Sequence, residues 1–214
     1  MHIPDAFIPI DQAAVYWLIA IVFIILSLRW ARREMSEDKV PLIAVLAAGI
    51  FAIQALNIPI LWGTSGHMAG AALAAIVLGS PFAGVFILTL VLIVQGIFFG
   101  DGGITVMGAN ILNMGIVGAF VGFYTYQGLR RITGNPYVGA FVAGWAALFL
   151  GAIFASVELA IAGTFPLDLG LASMGLYHAV IGVVEGGITV AALYLIAAAR
   201  PDILQESERA GVSA

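Results

Sequence analysis

Long apolar runs separated by short polar breaks organise this sequence. They cover about 13–28, 40–60, 82–99, 105–126, 137–162 and 174–199, each near the roughly 20 residues a helix needs to cross a bilayer. A shorter run of small residues, 68–78, is set off from the next by Gly79-Ser80-Pro81. It is too short to span unaided, and is expected as a partial or re-entrant helix lining a site. The pattern predicts an all-α membrane protein of about seven transmembrane helices. One domain is expected over 1–214, with 200–214 a short polar cytoplasmic tail that frays from Gln205 onward.

Basic residues set the expected orientation. Arg29, Arg32, Arg33 and Lys39 follow the first run, Arg130 and Arg131 precede Asn135-Pro136, and Arg200 and Arg209 follow the last. With seven crossings all of these fall on one side, which is then cytoplasmic. The N-terminus and the loops 61–67, 100–103 and 163–170 are expected outside, and the C-terminus inside.

Composition agrees with lipid as the solvent. Hydrophobic residues make up 62% of the 214 and charged residues only 9%, with a mean hydropathy of +1.10. A soluble domain carries about a quarter charged residues. The 26 glycines would weaken helices in water but let them approach closely in lipid. Small-xxx-small pairs at Gly66/Gly70, Gly118/Gly122 and Gly182/Gly186 read as helix packing. There is no cysteine, which excludes thiolate metal sites and disulfides. Lys39 follows no glycine-rich motif, so the chain has no P-loop and is not expected to be an enzyme with its own ATPase site; nor has it a basic patch for nucleic acid. The terminus lacks a basic n-region and carries Asp5 and Asp11, so the first run and Met1 are expected to remain in the mature protein.

Candidate chemistry gathers on the outer side. Met1-His2-Ile3-Pro4-Asp5, Gly63-Thr64-Ser65-Gly66-His67 and Phe99-Gly100-Asp101-Gly102-Gly103 stand together by topology and hold two of the three histidines. A terminal amine, the next peptide nitrogen and the Nδ1 of a histidine at position 2 can chelate one metal through a five- and a six-membered ring. His67 would complete a four-nitrogen plane, which suits Ni(II) or Cu(II), while imidazole also suits cobalt and zinc. The amide proton must leave on binding, so affinity should fall with pH. From spacing alone the plainer reading of His2 is a residue of a loose terminus, and of His67 a polar cap. Thr64 and Ser65 are candidates to orient the His67 ring or cap the following helix. Asp101 either closes a tight Asp-Gly turn or accepts from a ligating histidine.

Within the membrane, His178 and Glu185 lie seven apart on one helix face and Glu158 on the preceding run. They read as a buried hydrogen-bonded pair or, less simply, as a proton relay. Asn57, Asn110 and Asn113 are further intramembrane polar groups, the last two sharing an inward face.

The motifs MHIPDAF (1–7), GTSGHMAGAALA (63–74), FGDGGITVMGANILNMG (99–115) and YHAVIGVVEGGITV (177–190) span nearly the whole chain. Together they resemble the metal-capture membrane subunit of the energy-coupling-factor cobalt and nickel importers, the CbiM/NikM family. The resemblance implies that Met1, His2 and His67 hold the metal; Thr64, Ser65, Asp101 and Asn110 are the candidate supporting residues. It also implies a transmembrane coupling subunit, two cytoplasmic ATPases and a small accessory membrane subunit as partners, and Co(II) or Ni(II) as cargo. A square-planar nitrogen site favours nickel, yet cobalt members carry similar termini, so both metals stay open. Ala6 departs from the family's usual glycine. Two other readings remain: a stand-alone proton-coupled carrier using Glu158, His178 and Glu185, and a membrane enzyme with a histidine metal site.

Overall fold

A computed structural model of the protein describes residues 1–60 and 64–212, the side chains of 59, 60, 64 and 208–212 excepted. The first helix, α1 (Ile10–Glu34), starts after Pro9 with Asp11 in its first turn and ends on Arg32 and Arg33. Those charges complement the helix dipole at both ends. A 3₁₀ turn (Glu37–Lys39) leads into α2 (Val40–Gln54), which has a proline in its first turn. The run expected over 40–60 stops early. Pro59 cannot continue a helix and forces the preceding residue to be extended. The chain forms instead a small antiparallel hairpin, β1 (Ile58–Ile60) with β2 (Thr64–Gly66), Ile58 opposite Gly66.

From His67 to Gly70 the chain has no regular structure, and then α3 (Ala71–Val77) follows, buried on every side. This is the partial helix expected over 68–78. Ser80 caps α4 (Pro81–Val94) by accepting from the Phe82 N–H, with Pro81 in the first turn. The helix continues through a π-turn, Gln95–Phe99, and stops at Gly100 with φ +64°. Next, α5 (Met107–Asn110) runs through a π-segment (Ile111–Val117) into α6 (Gly118–Thr133). Asn135 caps α7 (Pro136–Ile161) by accepting from Tyr137 and Val138, and α8 (Leu167–Ala199) packs along it. Finally α9 (Pro201–Val212) folds as a helix where a frayed tail was expected, and its Ser207 main chain packs against Gly79, where a Cβ would lie 2.8 Å from the Ser207 Cα.

Among the described residues five helical stretches are long and apolar enough to cross a membrane: Ile10–Glu34, Pro81–Phe99, Met107–Thr133, Pro136–Ile161 and Leu167–Ala199. The 15 residues of α2 and the seven of α3 fall short of the roughly 20 a helix needs alone. At one end of the bundle the Trp30 ring tilts against Phe86, and Lys39 lies 3.8 Å from Glu206. At the other end Gln12 donates to the Glu158 carbonyl, bringing the start of α1 to the end of α7.

Glycines let the helices meet closely. A Cβ at Gly122 would lie 2.8 Å from the Ala72 Cα, and one at Gly182 would lie 2.8 Å from the Trp145 ring. The Gly118/Gly122 and Gly182/Gly186 pairs are thus helix contacts. Gly66/Gly70 is not: Gly66 ends β2 and Gly70 turns into α3 with φ +77°.

Candidate metal centre

The first three residues fold inward. Met1 and Ile3 are each only 2% exposed. Asn110 clamps the main chain of Ile3: its Oδ1 accepts from the Ile3 N–H at 2.8 Å and its Nδ2 donates to the Ile3 carbonyl at 3.1 Å. The Gly103 N–H donates to the same carbonyl at 2.9 Å. Asp5 accepts from the N–H groups of Ile104 and Thr105 and from the Thr105 hydroxyl, which ties the strand-like terminus to the start of α5. Those contacts hold the Asp5 carboxyl below its usual range. They also hold Ala6 at φ +70°, a conformation natural to glycine.

So anchored, the Met1 amine donates to the Ser65 carbonyl on β2. His2 stacks on His67, ring centroids 4.4 Å apart and planes 20° from parallel. The protonation pattern of the two rings follows from their neighbours. His67 Nδ1 sits 2.8 Å from the Met68 carbonyl, which can only accept, so Nδ1 carries the hydrogen and Nε2 a lone pair. His2 Nε2 lies 3.2 Å from Gln95 Oε1, another acceptor, and by the same reasoning His2 Nδ1 carries the lone pair. Both nitrogens, His2 Nδ1 and His67 Nε2, are buried and lack a hydrogen-bond partner. Buried polar atoms left this way are few in native proteins and call for an explanation. Asp101 Oδ1, with its own lone pairs, stands 3.3 Å from His2 Nδ1. Lone pairs grouped in this way suit a cation.

Burial also keeps the donors neutral. It brings the Met1 amine down to about 5, against a smaller opposing pull from Asp101. His2 falls to about 4 through burial and then the positive charge of the terminus, with Asp101 and Gln95 opposing. Among the described residues no group of three His, Asp or Glu side chains converges as a metal site. The Met1 amine and His2 amide are main-chain nitrogens adjoining the His2 ring in sequence. A cavity of about 240 Å³ opens beside Met1, His2, Ser65 and Asp101, walled within by Ala155, Leu159 and Met174.

The other residues singled out from sequence fall as follows. Ser65 acts through its carbonyl, not its hydroxyl, and α3 is entered from Gly70 without a side-chain cap; the Met68 carbonyl, not Ser65, orients the His67 ring. Thr64 pairs with Ile60 through the hairpin, and its side chain lies outside the described residues. Asn57 reaches Asp101 at 3.5 Å. His178 and Glu185 do not form the expected pair. His178 Nδ1 donates to the Met174 carbonyl one turn back, while both Glu185 oxygens accept from the main chain of Ala69 and Gly70. Glu158 instead accepts from Asn113 at 2.6 Å. Sequence reasoning passed over Gln95, Gln54 and Asp5. A glutamine inside an apolar run was the available signal for the first two; nothing marked Asp5 as an anchor.

The fold defines a class, a multi-pass membrane protein, with two stacked histidines and an inward-turned terminus gathered at one end of the bundle. Residues 2–203 match the family CbiM, cobalt uptake substrate-specific transmembrane region. The chain is 42% identical over 213 residues to a putative fused nickel transport protein NikMN of Archaeoglobus fulgidus, covering 99% of this chain and 70% of that one. It is 33% identical over 215 residues to a cobalt transport protein CbiM of Sorangium cellulosum, covering 95% and 94%. A crystal structure described as a truncated transition metal transporter superposes with a TM-score of 0.87 at 30% identity, over 92% of this chain and 98% of that one. The chain belongs to the CbiM family of cobalt and nickel transport membrane proteins.

Proposed function

We propose that this chain is the substrate-capture subunit of an energy-coupling-factor importer for Co(II) or Ni(II). The Met1 amine, the deprotonated His2 amide, His2 Nδ1 and His67 Nε2 bind the ion as four nitrogens. The observation that carries this reading is the pair of buried, unpartnered lone pairs on His2 and His67 beside an inward-turned amine. Asp101 adds negative charge at the site, Asn110 seats the terminal peptide, and Gln95 holds the His2 ring by its far nitrogen. A planar nitrogen set suits Ni(II) electronically and also accepts cobalt.

The chain crosses the bilayer seven times in this proposal, with α2 and the 64–78 segment as the two short crossings. The N-terminus faces outward and the C-terminus inward, toward the side of Arg32, Arg33, Lys39 and Arg200. Supporting this, the α1–α2 turn meets α9 at one end of the bundle while the N-terminus meets the end of α7 at the other. Energy for release comes from a transmembrane coupling subunit with two cytoplasmic ATPases, joined by a small accessory membrane subunit. The proton-coupled carrier reading lacks a connected relay: Glu158 Oε1 and His178 Nε2 are also buried without a partner, but Glu158, His178 and Glu185 each bond elsewhere and not to one another.

The test is metal retention by purified protein with a native terminus against a variant with one residue added before Met1. Ni(II) and Co(II) are titrated separately and bound metal is assayed after washing. The native form should keep one ion and the extended form none, with the tighter ion marking the substrate. Equal retention by both forms would reject the terminal chelate.

A further inference from the structure

The segment that delivers His67 is unusual for the interior of a membrane protein. It has no helix or strand from His67 to Gly70, yet these residues are buried. Away from water every such peptide group needs an internal partner. Two different helices supply them. Glu185 on α8 accepts from the Ala69 N–H at 3.0 Å through Oε2 and from the Gly70 N–H at 2.7 Å through Oε1. Gln54, the last residue of α2, donates to the Ala69 carbonyl at 2.7 Å. The main chain is thus gripped from both sides, two and three residues beyond the histidine. Glu185 is 3% exposed and has no ion-pair partner among the described residues, so these two main-chain bonds are what its carboxylate does.

We propose that Glu185 is a positioning residue for the metal: by holding the main chain of Ala69 and Gly70 it sets the height and direction of the His67 imidazole, without touching the ion. The proposal rests on His67 being the fourth donor, as argued above. Its consequence is selective. The other three nitrogens lie on the terminal peptide, which Asn110, Gly103 and Asp5 hold by independent contacts. Loss of the Glu185 contacts frees the His67 arm and leaves the amine, amide and His2 imidazole together. It also makes α8 the helix whose displacement would withdraw one donor from the ion.

Cu(II) and Ni(II) serve as probes with the full chain and its native terminus, comparing wild type, Glu185→Gln, Glu185→Asp and His67→Ala. A glutamine offers one acceptor and places an N–H₂ against a main-chain N–H. Glu185→Gln is expected to replace the four-nitrogen Cu(II) absorption and paramagnetic-resonance spectrum by the three-nitrogen spectrum of His67→Ala. Its Ni(II) affinity should drop on the order of 10–100-fold, the usual effect of removing a group that orients a ligand. Glu185→Asp keeps the carboxylate and should fall between. An unfolded chain would still offer the three nitrogens of its first two residues, so the helical circular dichroism and melting temperature of Glu185→Gln are measured alongside; a three-nitrogen spectrum with both at wild-type values separates positioning from simple destabilisation. A wild-type spectrum and affinity in Glu185→Gln overturns the proposal; if that variant does not fold, wild-type behaviour of Glu185→Asp does so. A wild-type protein without the four-nitrogen spectrum overturns the capture reading itself, whatever Glu185 does.

Discussion

Metal binding should release close to one proton per ion at neutral pH, and that count reports how the N-terminus is stored. In the proposed site four nitrogens take part, and each could bring a proton to be displaced. Burial has already lowered the Met1 amine to about 5 and His2 to about 4. His67 offers a lone pair in the tautomer its Met68 contact selects. Only the His2 amide proton is left to lose. A terminal amine in water, near its ordinary value of about 8, would be roughly nine-tenths protonated at pH 7 and would add almost a second proton. Protons compete with the metal, so affinity rises with pH. One proton displaced means about a tenfold gain per pH unit, and two mean about a hundredfold. The tenfold slope should hold between about pH 6 and 8 and steepen below about 5, where the amine begins to protonate, and again below about 4 with His2. Calorimetric titration of Ni(II) in buffers of different ionisation enthalpy gives the count directly. A release near two protons at neutral pH would mean an exposed, charged amine and would refute the inward-turned terminus.

Three further outcomes follow from the seating of the terminal peptide. Ala6→Gly should relieve the positive φ and raise stability by about 1 kcal/mol, read as a higher melting temperature with metal binding intact. Gly103→Val puts a side chain where Asp5 and the Val106 methyl, 2.7 Å from an added Cβ, already sit. It should abolish tight metal binding while the helical circular dichroism of the bundle stays unchanged. Asn110→Ala leaves the Ile3 N–H buried and unpaired, a cost of about 1–3 kcal/mol, and should weaken Ni(II) binding by roughly 5- to 150-fold in the same titration.

The helical rods were legible because lipid imposes a simple rule on them, and apolar runs near 20 residues follow from it. The places where that reading failed are local. Pro59 breaks the second run, and its meaning needed more weight than the hydropathy around it. The tail after Arg200 is polar, but Ile203 and Leu204 pack onto the core, so it folds as α9. At the site, side chains with distinctive chemistry, His2, His67 and Asp101, were visible in sequence. Ser65 and Met68 were not visible in their actual roles, because they act through carbonyls that every residue possesses. The same limit explains Glu185. Its distance from His178 along one helix face suggested a pair, whereas its partners are anonymous peptide N–H groups on a segment more than 100 residues earlier. Asp5 shows the converse, a legible carboxylate whose targets at 104–105 became clear only once the terminus was placed.

The socket that receives Met1 has a bearing on how the protein comes into being. Its walls include Ser65, Asp101, Ala155 and Met174, so Met1 rests among groups spread along the chain as far as the last long helix. Contacts of such long sequence separation form late, after the intervening chain has been ordered. A partly synthesised chain can carry its amine and His2 into the membrane, yet it lacks the enclosure that strips the amine of its proton and brings His67 alongside. The enclosure around Met1 is thus complete only with the last long helix in place.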